Sequence, residues 1–174
     1  MAAHPSRTCD VYELAHQGQL IEGELQVSEL PRLAASVATP TGTLKYSITG
    51  RLDDRGRPGA SLHLNGDLTL ECQRCGVPLR FQLQREGAFR FVASEEELNA
   101  LPLDDDEEAE AVVGGRNTDL VAWIEDEAIL SLPLVPRHED CQPTRVEPSA
   151  EREPPDRPNP FAVLAELKGG RKPH

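Results

Sequence analysis

The sequence predicts a mainly β fold with α additions: an antiparallel sheet, as a small barrel or sandwich, with one covering helix and a peripheral C-terminal helix. Three observations predict it. Apolar and polar residues alternate through several runs between residues 21 and 91, the period of half-buried strands. Clusters of Gly, Pro and Asp separate those runs and can reverse the chain. One stretch, from Thr118 to Ser131, changes to the three-and-four spacing of a helix.

Residues 1–19 carry no such alternation and are expected to fray, Cys9 with them. The first strand places Ile21, Gly23, Leu25 and Val27 on one side and Glu22, Glu24 and Gln26 on the other. Leu30 to Val37 suits one short helical turn. Leu44, Tyr46, Ile48 and Leu52 then alternate up to a turn at Asp53-Asp54-Arg55-Gly56-Arg57-Pro58-Gly59. Leu62, Leu64, Leu68, Leu70 and Cys72 resume the pattern, with Gly66 marking a bulge or a close-packing point. His63, between two leucines, reads as a surface strand residue. Leu79, Phe81 and Leu83 form the next run, continued by Phe89 and Phe91, so the whole reads as an antiparallel meander.

An acidic insertion is expected over residues 93–117. Between Glu95 and Glu110 it holds Glu95, Glu96, Glu97, Asp104, Asp105, Asp106, Glu107, Glu108 and Glu110 and no basic residue. Such a run fits a basic partner or a cation, although a solvated loop needs neither. Thr118 or Asp119 can cap the covering helix, whose Leu120, Trp123, Ile124, Glu127 and Ala128 share one face while Glu125 and Asp126 point outward. Trp123 reads as core. Pro133 and Pro136 end the helix and send an extended segment across the core, delivering His138 and Cys141.

Residues 20–141 thus read as a single, mostly β domain. Residues 142–158 form a proline-rich linker, and 159–174 a docking helix and tail. In that last segment Asn159-Pro160 supplies a cap and a first-turn proline, and Phe161, Leu164 and Leu167 make an apolar stripe for a partner or for the domain itself.

Composition limits the function. Over 174 residues, 18 Lys+Arg stand against 30 Asp+Glu, a net charge of -12 that opposes unaided binding to nucleic acid or anionic lipid. No run reaches the roughly 18 to 20 apolar residues that span a bilayer, and no apolar signal stretch follows Met1. A cytoplasmic protein, monomeric by default, without membrane or DNA partners, is the expectation. No Ser/His/Asp arrangement or glycine-rich phosphate loop appears, and His4, His16, His63, His138 and His174 are scattered, so catalysis has little support.

The cysteines are more informative. Cys72-Gln73-Arg74-Cys75-Gly76 falls between two strand patterns, where a tight loop directs two thiolates at one point. His138-Glu139-Asp140-Cys141 supplies a second pair at the same spacing, giving a structural zinc site of Cys72, Cys75, His138 and Cys141. Four reduced groups without metal, or dithiol chemistry, are the alternatives. The dithiol reading is weaker because Cys72 follows a strand rather than opening a helix. Four protein ligands leave no coordination position for water.

Those residues carry a resemblance. Leu70-Glu71-Cys72-Gln73-Arg74-Cys75-Gly76-Val77-Pro78, Asp119-Leu120, the run Glu125-Asp126-Glu127-Ala128-Ile129-Leu130-Ser131-Leu132-Pro133-Leu134-Val135-Pro136-Arg137-His138, and Cys141 resemble the bacterial and plastid large ribosomal RNA subunit accumulation protein family. The ending Asn159-Pro160-Phe161-Ala162-Val163-Leu164-Ala165-Glu166-Leu167-Lys168 is similar to its proteobacterial branch. The resemblance runs from about residue 20 to the end. It implies a part in the synthesis, processing or stability of 23S ribosomal RNA and assigns no catalytic residues.

Two non-catalytic roles follow, ahead of a dithiol redox enzyme or a nuclease. An adaptor or chaperone would hold a basic large-subunit ribosomal protein or a precursor particle through Asp104, Asp105, Asp106, Glu107 and Glu108 and through the Phe161, Leu164 and Leu167 stripe. A direct ribosomal RNA contact would instead use Arg74 with Arg80, Arg85 and Arg90, although strand positions of mixed parity need not share a face.

Overall fold

The computed structural model describes residues 8–101 and 109–143. Its elements are β1 (Thr8–Cys9), α1 (Val11–Gln17), β2 (Leu20–Gln26), a 3-10 turn (Val27–Glu29), α2 (Pro31–Ser36), β3 (Thr43–Leu52), β4 (Pro58–Glu71), β5 (Pro78–Val92), α3 (Glu95–Asn99), β6 (Glu110–Val113), β7 (Thr118–Asp119) and α4 (Leu120–Leu130). The chain divides into a unit ending at Pro143 and a second from Thr144 to His174. The second unit, with the docking helix and the Phe161, Leu164 and Leu167 stripe, lies outside the described residues, as do Asp104 to Glu108.

The main sheet has the order β2-β3-β4-β5-β6. The first four strands form the expected antiparallel meander, with Tyr46 opposite Leu64 and Leu64 opposite Arg85. β6 departs from it by pairing parallel to β5. The sheet is therefore open and mixed among the described residues, not a closed barrel. The acidic insertion also contains regular structure: Ser94 caps α3 by accepting from Glu97 N, and the chain returns to the sheet at Glu110.

Alternation decides which face is buried. Leu44, Tyr46 and Ile48 of β3, Leu62, Leu64, Leu68 and Leu70 of β4, and Leu83, Phe89 and Phe91 of β5 all enter the core, together with Leu120, Ile124 and Ala128 of α4. Each large side chain removed from water contributes about 1.5 to 3 kcal/mol before entropy is counted. Leu52, expected to continue the stripe, is 44% exposed at the last position of β3, where the chain enters the turn. Asp53 holds that turn by accepting from Arg55 N and Arg57 N, and His63 faces solvent opposite Glu86, as expected. Gly66 keeps the register unbroken, so it is a close-packing point: a Cβ there would lie 2.6 Å from Leu44 Cδ2.

Two expectations are overturned at the helices. The N-terminal segment does not fray from Thr8 onward: β1 pairs with β7, Asp10 caps α1, and Val11 and Leu14 are fully buried. Its apolar stripe spans under two turns, too short to show as a period. On α4, Glu125 does not point outward; it is 5% exposed and serves α2, while Glu127 is buried against Arg85. Trp123 packs edge-on to Phe89 and Phe91, as core. No helix among the described residues is long and apolar enough to cross a membrane.

Candidate metal centre

The loop between β4 and β5 is folded by its own backbone. Gly76 N donates to Cys72 O at 2.8 Å and Cys72 N to Val77 O at 3.1 Å, closing a knuckle in which Gly76 takes φ 69°, a conformation open to glycine at little cost. The second half of the site comes from the chain after α4. Ser131 ends that helix, its Oγ donating to Glu127 O, and the two prolines prevent its continuation. The segment does not cross the core as expected, for Leu134 is fully exposed. It runs beside the knuckle instead, where Gln73 N donates to Pro136 O at 2.9 Å.

This path brings Cys72, Cys75, His138 and Cys141 together, with one donor atom from each lying within 4.8 Å of all the others. The spacing can be tested against a metal. Ligand bonds of about 2.3 Å for sulfur and 2.0 Å for nitrogen give a regular tetrahedron with S···S edges of about 3.8 Å and S···N edges of about 3.5 Å. Cys72 Sγ and Cys141 Sγ are 3.7 Å apart, and Cys75 Sγ and His138 Nδ1 are 3.5 Å apart. The donor set fits a tetrahedral ion of the zinc type.

Charge is arranged to the same end. Burial raises the Cys72 thiol, but the N–H groups of Arg74, His138 and Cys75 outweigh it and bring its pKa down to about 5. At Cys75 the Val77 N–H acts in the same direction, yet burial and the neighbouring Cys72 and Cys141 sulfurs win and hold that thiol above its ordinary value. One proton leaves readily and the next is held back by accumulating negative charge. A divalent cation relieves that repulsion.

Arg74, read from the sequence as an RNA contact, completes the site instead. Its Nε donates to Cys141 Sγ at 3.0 Å and its Nη2 to His138 O at 2.8 Å and Glu139 O at 3.2 Å. One planar guanidinium thus fixes the second ligand pair and offsets thiolate charge. The only signal in the sequence was its place inside the Cys-x-x-Cys loop. The other arginines do not form a face with it: Arg85 bonds Glu127 and Glu110, Arg90 is 7% exposed, and Arg80 lies on the solvent side.

Fold and site together define a small sheet domain whose strand connection and post-helical segment share a Cys3His cluster with its donor atoms at metal-binding distance. The chain belongs to the family of the large ribosomal RNA subunit accumulation protein YceD, whose profile matches residues 60–168, from β4 through both ligand pairs. It is 34% identical over 153 residues, 84% of this chain and 86% of the relative, to the large ribosomal RNA subunit accumulation protein YceD of Haemophilus influenzae. No solved structure matches it significantly.

Proposed function

We propose that this protein is a non-catalytic cytoplasmic factor that supports 23S ribosomal RNA accumulation during large-subunit assembly, as an adaptor or chaperone for a basic ribosomal protein or precursor particle. The name of the Haemophilus influenzae relative supports the process. The observation that carries the protein-binding reading is the engagement of the arginines. Arg74 serves the knuckle and Arg85 serves two carboxylates, in a chain of net charge -12. Direct contact with RNA would need a basic face that these side chains do not offer.

Zinc at Cys72, Cys75, His138 and Cys141 is structural in this reading. Bound there, it would crosslink the Cys72-Cys75 loop to the His138-Cys141 segment, and four protein donors would leave no position at which water is activated. Asp104 to Glu108 add acidic charge for the encounter with a basic partner.

The test is co-sedimentation of purified protein with large-subunit precursor particles, intact or treated with ribonuclease, across a salt series. Binding that survives ribonuclease and falls with salt is the expected result. Binding abolished by ribonuclease on particles that keep their proteins would replace the adaptor with the RNA-binding module. A deletion strain with an unchanged ratio of large- to small-subunit RNA would remove the process itself.

A further inference from the structure

The sheet ends at β2, and among the described residues no strand pairs with its outer side. Antiparallel pairing turns successive residues alternately toward and away from the neighbour. Gly50 N donates to Gln19 O, and Val27 N donates to Gly42 O, so the odd-numbered residues of this stretch bond toward β3. Leu20, Glu22 and Glu24 therefore turn their N–H and C=O groups outward. Such an edge is a template for one more extended chain.

The side chains around this edge specify what that chain carries. On the solvent face stand Glu22 and Glu24, the latter 3.4 Å from the Lys45 ammonium. On the core face Gly23 leaves room for the Tyr46 ring to reach under the strand: a Cβ at Gly23 would lie 2.7 Å from the tyrosine hydroxyl. Tyr46 is 3% exposed and its hydroxyl has no hydrogen-bond partner among the described residues. Glu22, Gly23, Glu24, Lys45 and Tyr46 line a recess of about 320 Å³. A buried hydroxyl left without a partner costs free energy that an incoming group can recover.

The geometry points to the outer edge of β2 as the docking strand for an extended basic segment of a protein partner. Its Lys or Arg side chains stand opposite Glu22 and Glu24, and a hydrogen-bonding side chain between them meets the Tyr46 hydroxyl. The inference deepens the proposed function, on which it rests for the basic character of the partner, by placing the contact. A second copy is a poor occupant: antiparallel pairing of two β2 strands about Gly23 sets Glu22 of one copy against Glu24 of the other, and like charges directly opposite are destabilising.

The experiment uses the full chain and a fluorescent nine-residue peptide of alternating Lys and Thr, with a Glu/Thr peptide and a Lys/Ala peptide as controls. Binding is read by anisotropy, and the fold of every variant by circular dichroism. The Lys/Thr peptide is expected to bind in a salt-dependent manner and the Glu/Thr peptide not to bind. Glu22→Gln with Glu24→Gln weakens binding about tenfold. Glu22→Pro weakens it beyond Glu22→Gln, because proline removes an outward N–H without touching the ladder to β3. Tyr46→Phe weakens the Lys/Thr peptide and leaves the Lys/Ala peptide unchanged.

Equal affinity of the parent and the double Gln variant, or of Glu22→Pro and Glu22→Gln, overturns the edge. If the peptide series is flat while precursor particles still bind, the edge is wrong and the adaptor reading stands. If the particles fail to bind as well, the adaptor reading falls first. A concentration-dependent dimer that Glu22→Pro abolishes assigns the edge to a second copy and overturns the inference.

Discussion

The Glu125 carboxylate of α4 accepts the backbone N–H of Leu33 at 3.1 Å and so caps a helix to which it does not belong. The same oxygen accepts Arg32 N at 2.7 Å, and the second oxygen takes Arg32 Nε at 2.9 Å. α2 opens on Leu30-Pro31, and Leu30 has no side-chain acceptor to offer its first turn. A carboxylate supplied from 92 residues away satisfies those N–H groups and meets the positive end of the helix.

Glu125→Ala is accordingly expected to destabilise the domain by about 2 to 3 kcal/mol, since it strands buried N–H groups as well as removing a charge partner. Glu125→Gln keeps an acceptor and should cost about half as much. Asp126, which also meets the Arg32 guanidinium but is half exposed, should cost less than about 1 kcal/mol when replaced by Ala. Urea denaturation of the three variants checks the order; a Glu125→Ala variant as stable as its parent would show that water serves the cap equally well.

The first helix makes a separate claim. A Cβ on Gly50 would stand 2.0 Å from Leu14 O and 2.5 Å from Leu14 C, so α1 lies on β3 with backbone against backbone. Gly50→Ala must push α1 off the sheet or bend β3, and the expected cost is about 2 to 3 kcal/mol, at the upper end for overpacking. Truncation before Leu20 should destabilise as much or more, because Val11 and Leu14 are lost from the core. Thermal melts of both forms decide whether the N-terminal segment is part of the folding unit.

These two cases show where the sequence was legible. Long alternating runs such as Leu62 to Cys72 exposed the meander, because a period repeated over many residues outweighs local noise. The paired Cys-x-x-Cys and His-x-x-Cys spacing exposed the knuckle. Glu125 was misread because one helix turn carries too few positions to distinguish a solvent face from a face turned toward another helix. Arg74 and the parallel β6 were missed for a related reason: a guanidinium that reaches across to residues 138–141, and a strand that rejoins the sheet after an acidic stretch, are tertiary facts with no local period.

At the knuckle, protein purified without added metal is expected to carry about one zinc per chain, and Cys141→Ser to carry much less. Arg74→Ala should lower zinc affinity about tenfold, the range for a residue that orients ligands without binding the ion. Arg74→Lys should recover little of it, because an ammonium cannot donate in one plane to Cys141 Sγ, His138 O and Glu139 O. Competition with a chromogenic chelator measures all three. A zinc content near zero in the parent protein would leave the cluster as four reduced groups.

The last prediction concerns pH and rests on Glu127. Burial raises its pKa above the ordinary carboxylate value; Arg85, whose Nε lies 3.1 Å from Glu127 Oε2, opposes the rise, and Glu110 and Asp126 add to it. Between the unfolded and the folded pKa the native state therefore holds a proton that the unfolded chain has released. Stability falls as pH rises across that window and levels off above the folded value. The favourable contribution of the neutral form is complete only below the unfolded pKa. Glu127→Gln mimics that neutral form at every pH. The stability of the parent relative to Glu127→Gln should therefore decline as pH rises from the ordinary carboxylate value to the raised folded value and then stay flat, in denaturant titrations at a series of pH values. A difference that instead grew toward neutrality would mean that the Arg85 ion pair outweighs desolvation at this position.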